Sequence, residues 1–204
     1  MVLTRDQNIG AESGEPELKD IFAVDLGLED IREALRELWI PKLVVVSQEK
    51  IVVSSGAYEA GDVVSESVSA GTAWRFVGMA KKAGGGGYIT KGLVMAETTA
   101  IASRLSLFLF TDTPTCALND DVQNTAPLKA DRNIYVGRID FPACDDVGAG
   151  MSESMVTPST VGRLPVAFVC KHDSLDLYGV LAIHGTEDLA DFTTLTIVLT
   201  VEQF

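Results

Sequence analysis

Two acidic clusters, 2 histidines, 3 cysteines and a run of glycines make up the chemical vocabulary of this 204-residue chain. Asn119-Asp120-Asp121 and Asp145-Asp146 are the clusters. Grouped side-chain oxygens could hold Ca²⁺, which takes about six to eight of them, but neither cluster has EF-hand spacing. Paired carboxylates could also hydrolyse a glycoside, which requires a set separation and one carboxyl kept protonated. The plainer reading is solvated loop carboxylates. Cys170-Lys171-His172 looks like a Cys/His dyad only by proximity, because such partners come from separate elements and meet in space. His184 falls at the end of an apolar run. No Cys-x-x-Cys or His-x-x-x-His pair offers a zinc site, and no Gly-x-Ser-x-Gly elbow is present. The three cysteines, Cys116, Cys144 and Cys170, are odd in number and widely spaced, so they form no disulfide framework.

Gly84-Gly85-Gly86-Gly87 invites a phosphate-loop reading. A P-loop needs Lys-Ser/Thr directly after its last glycine and then a helix whose N-terminus meets the phosphate. Here Tyr88-Ile89-Thr90 begins a strand, and the GxGxxG pattern fails at the same place. The glycines read instead as a flexible hairpin tip or as a site where two backbones approach closely. Trp39 and Trp74 lie far apart, and Trp74 reads as core rather than as part of a sugar-binding platform. No catalytic, cofactor-binding or metal residue is assigned from the sequence, and the chain is expected not to be an enzyme.

The elements that would position these residues are mostly strands. Residues 1–24 are mostly polar and Gly/Glu-rich and read as an extended N-terminal arm, with Ile21 and Phe22 as its anchors, or as a disordered tail. Residues 25–41 read as one amphipathic helix. Asp25 caps it, Leu28, Ile31, Leu35 and Leu38 form one stripe, Glu29–Arg32 and Glu33–Arg36 pair on its flank, and Pro41 ends it. From Lys42 the apolar period shortens to two. Leu43–Val46 and Ile51–Ser54 read as strands around a Gln48-Glu49-Lys50 turn, with a loop over Ala57–Asp62. Further strands are expected at Trp74–Ala80, Tyr88–Met95, Leu105–Phe110, Tyr135–Phe141, Val166–Cys170, Leu177–His184 and Phe192–Val201. Leu105–Phe110 is apolar on both faces, as a central strand would be. Leu195, Ile197, Leu199 and Val201 alternate with Thr196, Val198 and Thr200. Closely spaced strands joined by Gly/Pro/Asp turns, without repeating βα units, predict an all-β antiparallel sandwich of jelly-roll-like kind over residues 42–204. The segments 111–134 and 142–163 are long for hairpins and read as loops that meet partners.

Charge narrows the partners. The chain carries 16 basic and 29 acidic residues, a net of −13, which disfavours nucleic acid and anionic lipid. Residues 1–41 hold 10 acidic and 4 basic residues, a net of −6, so about a fifth of the chain carries nearly half of its charge. No apolar run approaches the ~20 residues of a membrane span, and no secretory leader is legible, so synthesis and folding in the cytoplasm are expected.

Certain phrases form a resemblance. They are Tyr58-Glu-Ala-Gly61-Asp62-Val-Val, the Gly84–Gly87 turn into Tyr88-Ile89, and Leu105-Ser-Leu-Phe-Leu-Phe110 followed by Thr113-Pro114-Thr115. Ala130-Asp131, Tyr135-Val-Gly-Arg-Ile139 and Leu177-Tyr-Gly-Val-Leu181 follow. In this order, over residues 55–204, the chain resembles small β-rich virion proteins of tailed bacteriophages. The resemblance implies a capsid decoration or cement protein on the capsid exterior, assembled in the host cytoplasm. It implies the major capsid protein as partner and self-association as a homotrimer at threefold positions. The expected contacts are residues 1–41 and the loops 111–134 and 142–163. Rival expectations are a tail or head–tail junction component and a Ca-dependent carbohydrate-binding module that reads host glycans.

Overall fold

A computed structural model describes residues 28–33, 35, 40–53, 57–98, 101–189 and 193–204. The arm expected over 1–24, the cap Asp25, and Leu38, Trp39 and Phe192 lie outside the described residues. The chain divides into two compact units, residues 1–40 and Pro41–Phe204. In the first unit, residues 28–33 and 35 are helical and Glu29 pairs with Arg32 at 2.5 Å.

The second unit is an antiparallel sandwich of two sheets. Its strands are β1 (Lys42–Val52), β2 (Val63–Val64), β3 (Trp74–Phe76), β4 (Gly86–Ala96), β5 (Leu105–Phe110) and β6 (Tyr135–Phe141). They continue as β7 (Asp145–Gly148), β8 (Met151–Val156), β9 (Val166–Val169), β10 (Leu177–Ile183) and β11 (Thr193–Gln203). One sheet runs β1-β11-β4-β8-β7, with β9 on β4. The other runs β2-β10-β5-β6, with β3 on β10. β11 alternates buried and half-buried residues along its whole length, so Leu195, Ile197, Leu199 and Val201 enter the core and the threonines between them face out. β1 pairs with all of it, from Lys42 opposite Gln203 to Val52 opposite Thr193, and so joins the two ends of the unit.

The main core lies between the sheets. Leu105, Leu107, Leu109, Leu177, Leu181 and Ile183 of the second sheet meet the inward row of β11 there, with Trp74, Phe76 and Phe141. Each such side chain taken from water contributes ~1.5–3 kcal/mol. β5 is buried at all six positions. Its other face, with Phe108 and Phe110, packs with Val180 and Ala182 beneath Cys116, Ala117, Leu118, Ala126 and Ile134. The segment 111–134 therefore folds back over the outer face of its own sheet.

Several expectations are corrected. Gln48-Glu49-Lys50 is not a turn: β1 runs straight through it, because Lys50 is buried and turns inward to the half-buried Glu66 while Glu49 and Ile51 face out. The strand at Trp74 ends at Phe76, where the chain turns into Gly78 at φ +77°. The segment 142–163 is not an open loop; it contains the β7–β8 hairpin, turned through Gly150 at φ +83°. Gly86 and Gly87 lie inside β4 rather than at a hairpin tip. A Cβ on Gly86 would sit 2.5 Å from the Phe168 carbonyl of β9, and one on Gly87 would come closer still to the Glu202 carbonyl of β11. Close approach of backbones, one of the two readings of this run, is what these positions require.

Candidate functional site

The acidic cluster 119–121 ties loops to strands. Asn119 Oδ1 accepts the Gly71 N–H at 3.0 Å. Asp120 is buried; its oxygens lie 2.8 and 2.9 Å from the Tyr58 hydroxyl, and one of them accepts the Ser65 N–H at 2.7 Å. Burial pushes the Asp120 carboxyl up to about 6, against the opposing pull of the Ser65 and Tyr58 hydrogen bonds. Burial and then the Asp120 charge push the Tyr58 hydroxyl up as well. The Asn119 and Asp120 oxygens engaged in this way are poor cation ligands. Asp145 and Asp146 are exposed on β7. Among the described residues, no three His, Cys, Asp or Glu side chains converge as a metal site requires.

The nucleophile candidates also separate. Cys170 is buried, with its thiol raised to about 11 by burial and then by Asp176. The His172 side chain is 87% exposed, with Asp173 at 3.8 Å. Cys116 and Cys144 are likewise buried, and desolvation raises both thiols to about 11, the condition of an inert thiol. Trp74 is core, and its indole N–H reaches the Val64 carbonyl at 3.3 Å.

Two polar networks have no signal in the sequence. In the first, Ser106 Oγ donates to Asp140 at 2.5 Å and lies 2.7 Å from His184 Nε2. With the single hydroxyl proton given to the carboxylate, Nε2–H is the donor from the histidine. Arg138 and Arg163 grip Asp140 at 2.7 and 2.6 Å. Desolvation, then Arg104 and Arg138, hold the His184 imidazole below its ordinary value. The serine stands between histidine and carboxylate, whereas a nucleophilic triad needs the histidine in the middle. Ser106 is also only 2% exposed. This network braces β5, β6 and β10. In the second, Lys50 Nζ meets Glu66 at 2.5 Å and the Thr72 carbonyl, and lies 5.3 Å from the Trp74 ring centre. Burial lowers the Lys50 ammonium, and its bond to Glu66 partly offsets that. Burial alone would raise Glu66, but hydrogen bonds from Lys50, Thr72 and Ser65 outweigh it and bring the carboxyl down to about 2.

Among the described residues of the sandwich, a surface also stands out. The outer face of the β1-β11-β4-β8 sheet exposes Leu43 (67%), Val45 (68%), Ile51 (50%) and Met155 (50%). The register sets its rows. Ser47, Val198, Leu93 and Met155 form a central row. Two residues along the strands on one side lie Val45, Thr200 and Lys91. Two residues along on the other side lie Glu49, Thr196, Met95 and Glu153. Antiparallel sheets with one wet face usually alternate apolar-in and polar-out; here apolar side chains are mixed with Ser, Thr and charged ones on the outward side. Of the residues facing outward from these four strands, only Glu49, Lys91, Glu153 and Glu202 are charged, a net of −2 in a chain of net −13. Exposed apolar patches of this extent mark interaction sites. The alternation in β1 and β4 holds the signal, but the apparent turn at 48–50 and a bulge in β4 conceal it.

The chain is thus an all-β sandwich whose best candidate site is a sheet face rather than a cleft. No family model matches the chain, and no curated protein is significantly similar to it.

Proposed function

We propose that the chain is a structural virion protein that binds the exterior of a capsid lattice and stabilises the head, with the major capsid protein and further copies of itself as partners. The observation that carries this reading is the set of exposed apolar side chains, Leu43, Val45, Ile51 and Met155, on the outer face of the larger sheet. The smaller sheet is covered by the chain's own 111–134 segment, whereas among the described residues of the sandwich no loop packs over the outer face of the larger one. The resemblance to phage virion proteins supplies the setting. The 111–134 segment is a weaker candidate for a lattice contact than its length implies, since its apolar residues are engaged inside. Weak contacts repeated across a lattice give strong retention without a single tight site.

The test is decoration of heads that lack the protein. Purified full chain should bind them to saturation, and deletion of residues 1–24 should leave the unfolding transition of the sandwich unchanged while lowering occupancy. Heads that take up no full-length chain would overturn the reading. Unchanged occupancy with the truncated chain would remove the arm from it.

A further inference from the structure

We propose that the outer face of the larger sheet is a two-fold self-association surface, closed by the same face of a second copy. This deepens the assembly reading above and rests on it, and the partner is identified by size, charge and register. Strands lie ~4.8 Å apart and rise ~3.3 Å per residue. A face four to five strands wide and about eleven residues long therefore covers on the order of 700 Å², close to the ~800 Å² per partner of a specific interface. For a chain of net −13, self-association is least opposed where the like charges are fewest, and this face carries a net of −2.

The register selects the symmetry axis. Take a two-fold axis running across the strands along the central row Ser47–Val198–Leu93–Met155. It stacks that row, apolar except for Ser47, on its own copy. It exchanges the two flanking rows, since each lies two residues away. The Lys91 row then covers the Glu49–Thr196–Met95–Glu153 row of the second copy. Lys91 sits over Met95 of that copy, one strand spacing from its Glu153, within reach of an extended lysine. Leu43 falls over Ile51. Two equivalent Lys91–Glu153 pairs form, and strands aligned across the interface match the packing of ordinary sandwiches. The alternative axis, along the strands, lays β1 over β8 and sets Glu49 against Glu153, which like-charge repulsion disfavours. The phage resemblance implies three copies at a threefold position; this face makes pairs.

Within one chain Lys91 and Glu153 lie on neighbouring strands but four residues apart in register, ~13 Å along the strand, too far for an ion pair. Among the described residues, neither takes part in an ion pair. A charge swap therefore tests contact between copies. The dimer dissociation constant is measured by sedimentation equilibrium for the full chain, Lys91→Glu, Glu153→Lys and the double variant, with unfolding curves to confirm that each is folded. Each single variant sets two like-charge pairs into the interface and should weaken the dimer by about tenfold or more. The double variant restores opposite charges and should return close to the wild-type value. A monomeric wild-type chain overturns the proposal, as does a double variant no better than the singles. Decoration of heads reads the wider function separately. A monomer that still decorates sinks the dimer alone, and a rescued dimer that does not decorate upholds this interface while sinking the capsid reading.

Discussion

Asp120 and Glu66 sit a few residues from one another's partners, yet burial and hydrogen bonding drive them in opposite directions. Asp120 is raised from 3.8 to about 6. A carboxyl raised on folding contributes its stability below its unfolded value and loses it as pH climbs through the folded one. At ~1.4 kcal/mol per unit, the native state loses on the order of 3 kcal/mol from this group between pH 4 and pH 7. Asp120→Asn removes the titration, so urea unfolding across that range should show wild type losing stability relative to the variant; parallel curves would contradict the burial argument. Glu66, lowered to about 2, contributes above its unfolded value and is lost only as pH falls toward 2. Its stability depends on Lys50. Lys50→Met leaves a half-buried carboxylate without its cation, and breaking such a pair costs ~3–5 kcal/mol, read as a lowered urea midpoint at pH 7. These roles are hidden in the sequence. Asn119-Asp120-Asp121 is visible there as a cluster, but nothing local shows that Tyr58, 62 residues away, points its hydroxyl at Asp120. Lys50 resembles a turn residue because Glu66 and Thr72 are equally remote from view.

At the scale of elements, alternation is the readable signal and its interruptions are not. β11 follows its period of two without a break, and its inward row is legible from the order of its residues alone. β4 carries a bulge: Ile89 pairs with Val201 and Lys91 with Thr200, so Thr90 is the extra residue. An inserted residue reverses which side chains face inward. Ile89 is therefore core, and so are Val94 and Ala96, although their numbers differ in parity. A strict count along 88–95 misassigns half of that strand. The glycines before it show a second limit. Their spacing excludes a phosphate loop, but only the β9 and β11 carbonyls show that Gly86 and Gly87 are required by contact. Gly87→Ala should force β4 away from β11 and lower stability by ~1–3 kcal/mol, the usual cost of overpacking, seen as a reduced thermal midpoint. A neutral substitution there would contradict the close approach. The 111–134 segment reads as an open loop because its apolar residues, Cys116, Leu118 and Ile134 among them, follow no period. They pack on a sheet whose outward row, Phe108, Phe110, Val180 and Ala182, is itself apolar.

The whole molecule repeats that logic on its opposite side. Both sheets have apolar side chains on their outward faces; within the sandwich, the described residues cover one of these faces and not the other. The sandwich is legible from the residue pattern, because short strands, turn residues and the lack of βα repeats leave few alternatives. Which surface stays open is not, since that depends on which loop folds back over which sheet. The most direct test of the proposed function is the number of copies of this chain relative to the major capsid protein in purified particles, counted by quantitative mass spectrometry. The decoration account predicts copies in the hundreds, in fixed ratio to the shell subunits. Enough for only a ring or two would make the chain a tail or junction part, and its absence from particles would contradict the account.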